Sequence, residues 1–212
     1  MLRLALVACF LLLASLRAAE VHFKFADGKQ AAVSDVVVSL VPLDAPAAAA
    51  PAPVEAVLIA QEKQEFLPYV SVVAVGTTVN FPNRDTVKHH VYSSSKAKKF
   101  ELPLYAGEAR EAVRFEQPGV VTLGCNIHDW MLAYVVVVAT PWFAKSDADG
   151  TARISAPPGR YRIEMWQPRL AAVVTRELAV TDAAPAAQTF TLELGRDRRI
   201  RRNPDVKAGG YK

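Results

Sequence analysis

The chain has 212 residues, of which 51% are hydrophobic and 22% are charged, with 10 glycines and two cysteines. This composition excludes an intrinsically disordered chain, a collagen and a disulfide-stapled miniprotein, and the length suffices for one or two hydrophobic cores. The formal charge of +4 is unevenly spread, because the last eighteen residues hold seven basic and two acidic side chains while residues 20–194 carry a net charge of −3. The basic character therefore belongs to the C-terminal tail and does not indicate a nucleic-acid-binding face.

The N-terminus has a basic residue followed by a nearly unbroken apolar run over 4–16, which ends close to the small residues Ala18 and Ala19. This order is typical of a secretory signal peptide, which we predict over 1–19 and which implies export to a bacterial periplasm. The run is shorter than the roughly 20 residues of a transmembrane helix, so a retained anchor is the weaker alternative. The segment ending at Cys9 resembles a lipoprotein box, but the apolar run continues past the cysteine, which argues against lipidation.

The rest of the chain reads as β structure. Short runs rich in Val, Thr and aromatic residues are separated by turn signals, and their spacing favours an all-β fold built of sandwiches. The predicted strands are 21–25, 35–41, 56–60, 70–75, 78–82, 89–93, 112–115, 119–124, 133–138, 151–155, 160–166, 173–180 and 188–194. The Ala- and Pro-rich stretch at 45–53 predicts a linker or surface loop.

One short segment concentrates metal-binding side chains. Cys125, His128 and Met131 follow a C-x2-H-x2-M pattern in a loop between two predicted strands. Removal of the signal peptide leaves Cys125 as the single cysteine, which cannot form an internal disulfide in an oxidising compartment. A thiolate, an imidazole and a thioether in one loop therefore indicate a metal site rather than a structural cysteine.

A second imidazole lies 36 residues upstream, where His89 and His90 are adjacent. Two histidines and a cysteine with a weak axial methionine are the ligand set of a mononuclear blue copper site, so we predict one copper ion. Strand alternation lets only one of the two histidines point inward. His89 is the preferred ligand, with His90 as the alternative, beside Cys125, His128 and Met131.

Residues 57–138 resemble the cupredoxins, in particular their plastocyanin- and amicyanin-like members. The resemblance rests on the C-x2-H-x2-M loop, on the segment 83–91, and on F-x-P and V-G-x-x-V-x-F patterns at 66–68 and 75–81. It implies a Greek-key sandwich in which His89 is the first ligand and His90 replaces the asparagine that usually ties the ligand loops together. The whole chain resembles the plastocyanin-like proteins that carry the label methylamine utilization protein.

The flanking segments resemble a carboxypeptidase-regulatory-like or transthyretin-like sandwich of immunoglobulin-like type. The resemblance rests on the segments 21–29 and 35–40 and on Asp-x-Asp-Gly and Pro-Gly-x-Tyr turns after residue 146. A cupredoxin sandwich is therefore expected to be inserted in, or to adjoin, a second β-sandwich. The predicted divisions are a signal peptide at 1–19, first flanking strands and a loop at 20–56, a cupredoxin domain at 57–138, the remaining flanking strands at 139–195, and a basic tail at 196–212.

The resemblance implies a periplasmic one-electron carrier that cycles between Cu(II) and Cu(I) and is not an enzyme. His128 is expected to be the exit for the electron, and Trp130, Leu132 and Pro82 are expected to form an apolar rim around it. Packing beneath the loop is the alternative for Trp130. The backbone amides of Gly124 and Asn126 are expected to hydrogen-bond the cysteine sulfur and tune its potential.

The expected partner is a redox protein, with no nucleic acid, and the carrier is expected to be a monomer. The basic tail is either solvated or docks weakly to an acidic protein or a membrane surface. Two other functions remain open: a copper carrier or sensor without an electron-transfer role, and a non-metal β-sandwich that acts as an interaction module.

Overall fold

The computed structural model describes residues 18–44, 56–108, 111–181 and 187–199. The predicted linker, the apolar N-terminal run and most of the basic tail lie outside them. Every regular element in the described segments is a strand, which confirms the all-β prediction. None of these segments forms a helix long and apolar enough to cross a membrane.

The described residues form seventeen strands, numbered here in chain order. They are β1 Ala19–Asp27, β2 Val37–Pro42, β3 Val57–Leu58, β4 Ala60–Glu62, β5 Glu65–Leu67, β6 Val70–Ala74, β7 Thr77–Asn80, β8 His89–Ser95, β9 Lys98–Tyr105, β10 Val113–Phe115, β11 Gly119–Gly124, β12 Leu132–Val138, β13 Phe143–Lys145, β14 Thr151–Ala156, β15 Gly159–Trp166, β16 Val174–Val180 and β17 Gln188–Leu192.

The first and last strands of the chain form one sandwich. Its two sheets have the orders β14-β1-β17 and β13-β2-β15-β16. Apolar side chains on the facing sides of these sheets, including Phe23, Phe25, Leu40 and Ile163, build one core. Because β1 and β2 precede the central strands while β13 to β17 follow them, everything between β2 and β13 is an insertion into this flanking sandwich.

The inserted strands form a second sandwich. A five-stranded sheet of order β6-β12-β11-β8-β9 faces a three-stranded sheet of order β10-β7-β3, and β4 and β5 form a separate hairpin. Buried side chains between the two sheets, among them Phe81, Phe115, Leu123 and Met131, make its core. The central position of β11 and β12 in the larger sheet places the loop between them at one end of this core.

Strand β12 joins the two sandwiches because both of its faces are buried. Val135 and Val137 point into the core of the inserted sandwich, whereas Tyr134 and Val136 pack towards Val37 of the flanking sandwich. The Tyr134 ring also meets the Trp166 ring edge-on, with centroids 5.3 Å apart. Two-sided burial explains why this strand is apolar at almost every position and does not alternate with polar residues.

Strand β9 was absent from the sequence prediction. It contains Pro103 and begins with Lys98 and Lys99, and these residue types are depleted in strands. The strand nevertheless forms because it lies at the edge of the five-stranded sheet, where proline and lysine are tolerated. Its register against β8 shifts between His89 and Val91, where three steps along β9 oppose two along β8, which is typical of a β-bulge in β9.

The two Asp-Gly turns of the flanking sandwich differ in what surrounds their glycines. Gly150 has a φ of +73°, and a Cβ atom there would lie 2.5 Å from the carbonyl oxygen of Phe25. A Cβ atom at Gly28 would meet nothing within 4 Å. Only the turn at Gly150 therefore requires glycine, both for its backbone conformation and for the close approach of β1.

We expect Gly150→Ala to lower the free energy of unfolding by about 3 kcal/mol, since it combines left-handed strain with a backbone clash. The matched substitution Gly28→Ala should change it by less than about 0.5 kcal/mol. Urea unfolding of both variants measures the difference. Equal losses in the two variants would contradict the assigned turn geometry.

Candidate metal centre

The four predicted ligands come from the same end of the five-stranded sheet. His89 is the first residue of β8, Cys125 directly follows β11, and Met131 directly precedes β12. β11 and β8 are antiparallel neighbours, so the start of one lies beside the end of the other. The strand pairing thus closes the 36-residue gap between His89 and the loop that carries the other three ligands.

His89, Cys125 and His128 bring their donor atoms together. These atoms all lie within 4.8 Å of one another. The two Nδ1 atoms of His89 and His128 are 3.1 Å apart, and the Cys125 sulfur is 3.7 Å from Nδ1 of His128. Metal bonds of about 2.0 Å to nitrogen and about 2.3 Å to sulfur let donors on one ion lie up to about 4 Å apart, so both distances fit a shared ion.

Met131, the fourth predicted ligand, lies next to this group. Its side chain is 2% exposed, belongs to the core of the inserted sandwich and contacts His89. Its backbone amide donates to the carbonyl oxygen of His128 at 3.0 Å, which closes a tight turn in the loop. The donor set of two imidazoles, a thiolate and a thioether is consistent with a type 1 copper site.

Asp85 orients the first ligand. Its Oδ2 atom lies 2.8 Å from Nε2 of His89, and a carboxylate can only accept at this position. Nε2 therefore carries the proton, which leaves Nδ1 of a neutral imidazole free to bind a metal. Burial lowers the pKa of His89, but hydrogen bonds with Cys125 and Asp85 outweigh it and raise that pKa above its ordinary value.

The Cys125 thiol lies in a polar pocket although it is buried. Burial by itself raises the pKa of this thiol. Hydrogen bonds from His89 and from the backbone of His90, Ile127 and His128 have the opposite effect and bring the pKa below its ordinary value. The site thus favours the thiolate, which is the metal-binding form.

The sequence suggested the amides of Gly124 and Asn126, whereas the backbone contributions that most lower the pKa of Cys125 come from His90, Ile127 and His128. Gly124 instead provides space, because a Cβ atom there would lie 2.9 Å from the ring of Tyr92 on the neighbouring strand. Asn126 is exposed. The second half of the loop and β8 therefore contribute most to the lowered pKa of the thiol.

His90 is directed away from the donor cluster. Its Nε2 atom lies 2.8 Å from a carboxylate oxygen of Glu101 on β9, and its Nδ1 atom has no hydrogen-bond partner among the described residues. Its side chain is buried, as is that of His89, although the two are consecutive in one strand. Regular strand alternation explains this arrangement, because successive side chains of β8 point to opposite faces of the sheet and both faces are covered at this point.

Asn83 holds the loop that leads to His89. Its side-chain amide donates to the carbonyl oxygens of Val87 and Tyr105, both at 2.9 Å, and its Oδ1 atom accepts from the amide of Asp85. Neither Asn83 nor Asp85 was predicted from the sequence as a member of the site. No local motif marks them, because their partners are brought together only by the fold.

The apolar rim differs from the predicted one. Pro82 is buried, and Leu132 packs against the side chains between the two sandwiches. Trp130 is half-buried and its ring lies beside that of His128, with centroids 5.1 Å apart and an angle of 52° between the ring planes. The exposed apolar side chain of the ligand loop is Ile127, at 42% exposure.

We expect His89→Gln to weaken copper binding by at least about 100-fold, since even loss of an outer-shell partner costs 10- to 100-fold. The neighbouring substitution His90→Gln should change the affinity by less than about tenfold, because this side chain bonds to Glu101 and lies outside the donor cluster. Competition titration against a chelator measures both. The reverse order of effects would assign the ligand to His90.

No family model and no curated protein matches this chain. Solved structures do show similarity over about half of it. A copper-containing nitrite reductase from Thermus scotoductus is 27% identical over 46% of this chain and 25% of its own, with a TM-score of 0.38. This chain therefore spans only a quarter of the length of that protein.

Two smaller proteins are matched over almost their whole length. A purple cupredoxin from Nitrosopumilus maritimus is 26% identical over 39% of this chain and 99% of its own, with a TM-score of 0.35. An amicyanin variant in its reduced state is 26% identical over 48% of this chain and 98% of its own, with a TM-score of 0.37. At such TM-scores, the interpretation of the centre rests on its donor geometry.

Proposed function

We propose that this protein is a type 1 copper protein that carries single electrons. The observation that supports it is the convergence of buried His89 and Cys125 with partly buried His128, beside buried Met131. Bound copper would supply a one-electron couple between Cu(II) and Cu(I), to which this mixture of soft and borderline ligands is suited. The role proposed for the chain is to hold the ligands in one arrangement suitable for both oxidation states.

Several contacts fix the ligands before any metal arrives. The His89 ring is held by Asp85, and Met131 is packed in the core. Backbone hydrogen bonds lower the pKa of Cys125 and favour its thiolate. Because these partners are parts of strands or of short loops between them, little rearrangement is needed when an electron is gained or lost.

His128 is the proposed route for the electron to the surface. Its side chain is less buried than those of His89 and Cys125. The exposed Ile127 precedes it in the chain, and the half-buried ring of Trp130 lies beside its own ring. An apolar contact at this point would exclude water between the ring and a partner protein. We therefore propose a small docking rim centred on Ile127.

We also propose where the protein acts and what it meets there. Export through the N-terminal segment, a periplasmic location, a redox protein as partner and a non-enzymatic, monomeric carrier are all consistent with the proposed function. The described start of the basic tail reaches the body of the protein, because the Arg199 guanidinium lies 4.3 Å from the centre of the Tyr69 ring. Weak contact of the tail with an acidic protein or membrane surface remains part of the proposal.

Addition of Cu(II) to the purified protein should produce an intense visible thiolate-to-copper band and a reversible one-electron voltammetric wave. Cys125→Ser should abolish the band, whereas Met131→Leu should keep it and raise the potential, because the axial ligand tunes it. Colourless Cu(I) binding without a reversible wave would instead favour copper handling. Absence of binding would leave an interaction module as the function.

The rim is tested by Ile127→Glu in the copper-loaded protein. We expect electron self-exchange between oxidised and reduced copies to slow by about tenfold or more, since two added carboxylates repel each other at the contact. Val173→Glu is the matched control, because Val173 is 48% exposed but precedes β16 in the flanking sandwich. NMR line broadening gives the rate, and equal slowing in both variants would exclude Ile127 as the contact point.

A further inference from the structure

The turn between β4 and β5 has an unusual backbone. Its two central residues, Lys63 and Gln64, have φ values of 56° and 60°. Two consecutive left-handed residues are typical of Asn-Gly hairpin turns, and side chains such as those of Lys and Gln disfavour this conformation. Such a turn persists only where its surroundings hold it in place, and strained turns of this kind concentrate at functional sites.

Two side chains hold this turn. The Asp85 carboxylate accepts the amide hydrogen of Lys63 at 2.6 Å through Oδ1 and that of Gln64 at 2.8 Å through Oδ2. The Trp130 indole donates its Nε1 hydrogen to the carbonyl oxygen of Gln64 at 3.1 Å. Asp85 thus binds the amides of the turn, and Trp130 binds one of its carbonyl oxygens.

These two residues belong to the two different ligand loops. Asp85 lies in the loop before β8, and its Oδ2 atom accepts from Gln64 and from Nε2 of His89. Trp130 lies between two predicted ligands, His128 and Met131, and its ring is close to that of His128. The main chain of Gln64 is therefore a hydrogen-bonded bridge from the first ligand loop to the second.

The hairpin is also anchored independently of these contacts. The backbone amide of Gln61 donates to Pro82 at 2.8 Å, and the amide of Arg84 donates to Gln61 at the same distance. The base of the hairpin is thereby tied to the start of the first ligand loop. The pairing of Glu62 with Glu65 closes the hairpin next to the turn, and Asp85 and Trp130 add side-chain contacts at its tip.

We propose that the turn at Lys63 and Gln64 is a clamp that joins the two ligand loops, with Asp85 and Trp130 as positioning residues that act through it. This inference rests on the proposed function, since it describes how the copper ligands are kept in place. It predicts that a substitution at Asp85 weakens the hydrogen bond from the Trp130 indole to the carbonyl oxygen of Gln64.

Hydrogen exchange of the Trp130 indole in the metal-free protein tests the coupling. We expect Asp85→Asn to speed this exchange at least tenfold, because the turn loses an acceptor for its amides and releases the carbonyl of Gln64. Glu65→Gln is the control, since Glu65 is exposed and lies beside the turn. Unchanged exchange in Asp85→Asn, or an equal increase in the control, would overturn the clamp.

A rescue experiment separates the clamp from a general loss of structure. The substitutions Lys63→Asn and Gln64→Gly create a turn that adopts left-handed backbone without assistance. Added to Asp85→Asn, they should return the indole exchange to within about threefold of the unmodified protein. Faster exchange that this pair does not rescue would show that Asp85 acts by another route and would also overturn the proposal.

The copper-loaded protein provides the second readout. Trp130→Phe retains an aromatic ring but loses the indole hydrogen, and we expect it to speed copper loss to a chelator by about tenfold. The same substitution in the Lys63→Asn, Gln64→Gly background should speed it by less than about threefold, and equal effects in both backgrounds would contradict the clamp. A protein that binds no copper would refute the proposed function, while the metal-free exchange would still decide on the clamp.

Discussion

The placement of three metal-binding atoms within 4.8 Å of one another at the end of one sheet is the constraint on which the site depends. Groups of this polarity are costly to bury without partners, and the surrounding residues supply those partners. Asp85 accepts from His89, and hydrogen bonds lower the pKa of Cys125 and favour its thiolate. Asn83 in turn holds the loop of Asp85. The polar network therefore serves both the stability of the pocket and the orientation of the ligands.

The hydrophobic packing explains why this arrangement is rigid. Met131 and Leu123 belong to the core of the inserted sandwich, and β12 continues from the ligand loop into the contact with the flanking sandwich. Tyr134 on that strand packs against Trp166 on β15. The ligand loop thus begins and ends on central strands that are covered on one or both faces. Its geometry is determined by the best-packed part of the molecule, although the loop itself reaches the surface at Ile127.

Much of the fold was predictable because its signals are local. Alternation and turn residues identified most of the strands. The C-x2-H-x2-M spacing keeps Cys125, His128 and Met131 within one short loop, independently of the tertiary fold. Strand β9 was missed because its proline and lysines oppose strand formation, and only its edge position permits it. The exposed rim was also mispredicted, since the burial of Pro82 depends on contacts with distant segments.

The sequence by itself determined the chemistry of the site: which donor types are present, that three of them share a loop, and that the surrounding elements are strands. The tertiary structure decided which histidine joins that loop, because the pairing of β8 with β11 brings the inward face of β8 to the loop, and alternation along β8 places His89 on that face and His90 beside Glu101. It also decided the roles of Asp85 and of the turn at Gln64. Those roles arise from hydrogen bonds between segments far apart in the chain, and residue spacing carries no information about such contacts until the strands have paired.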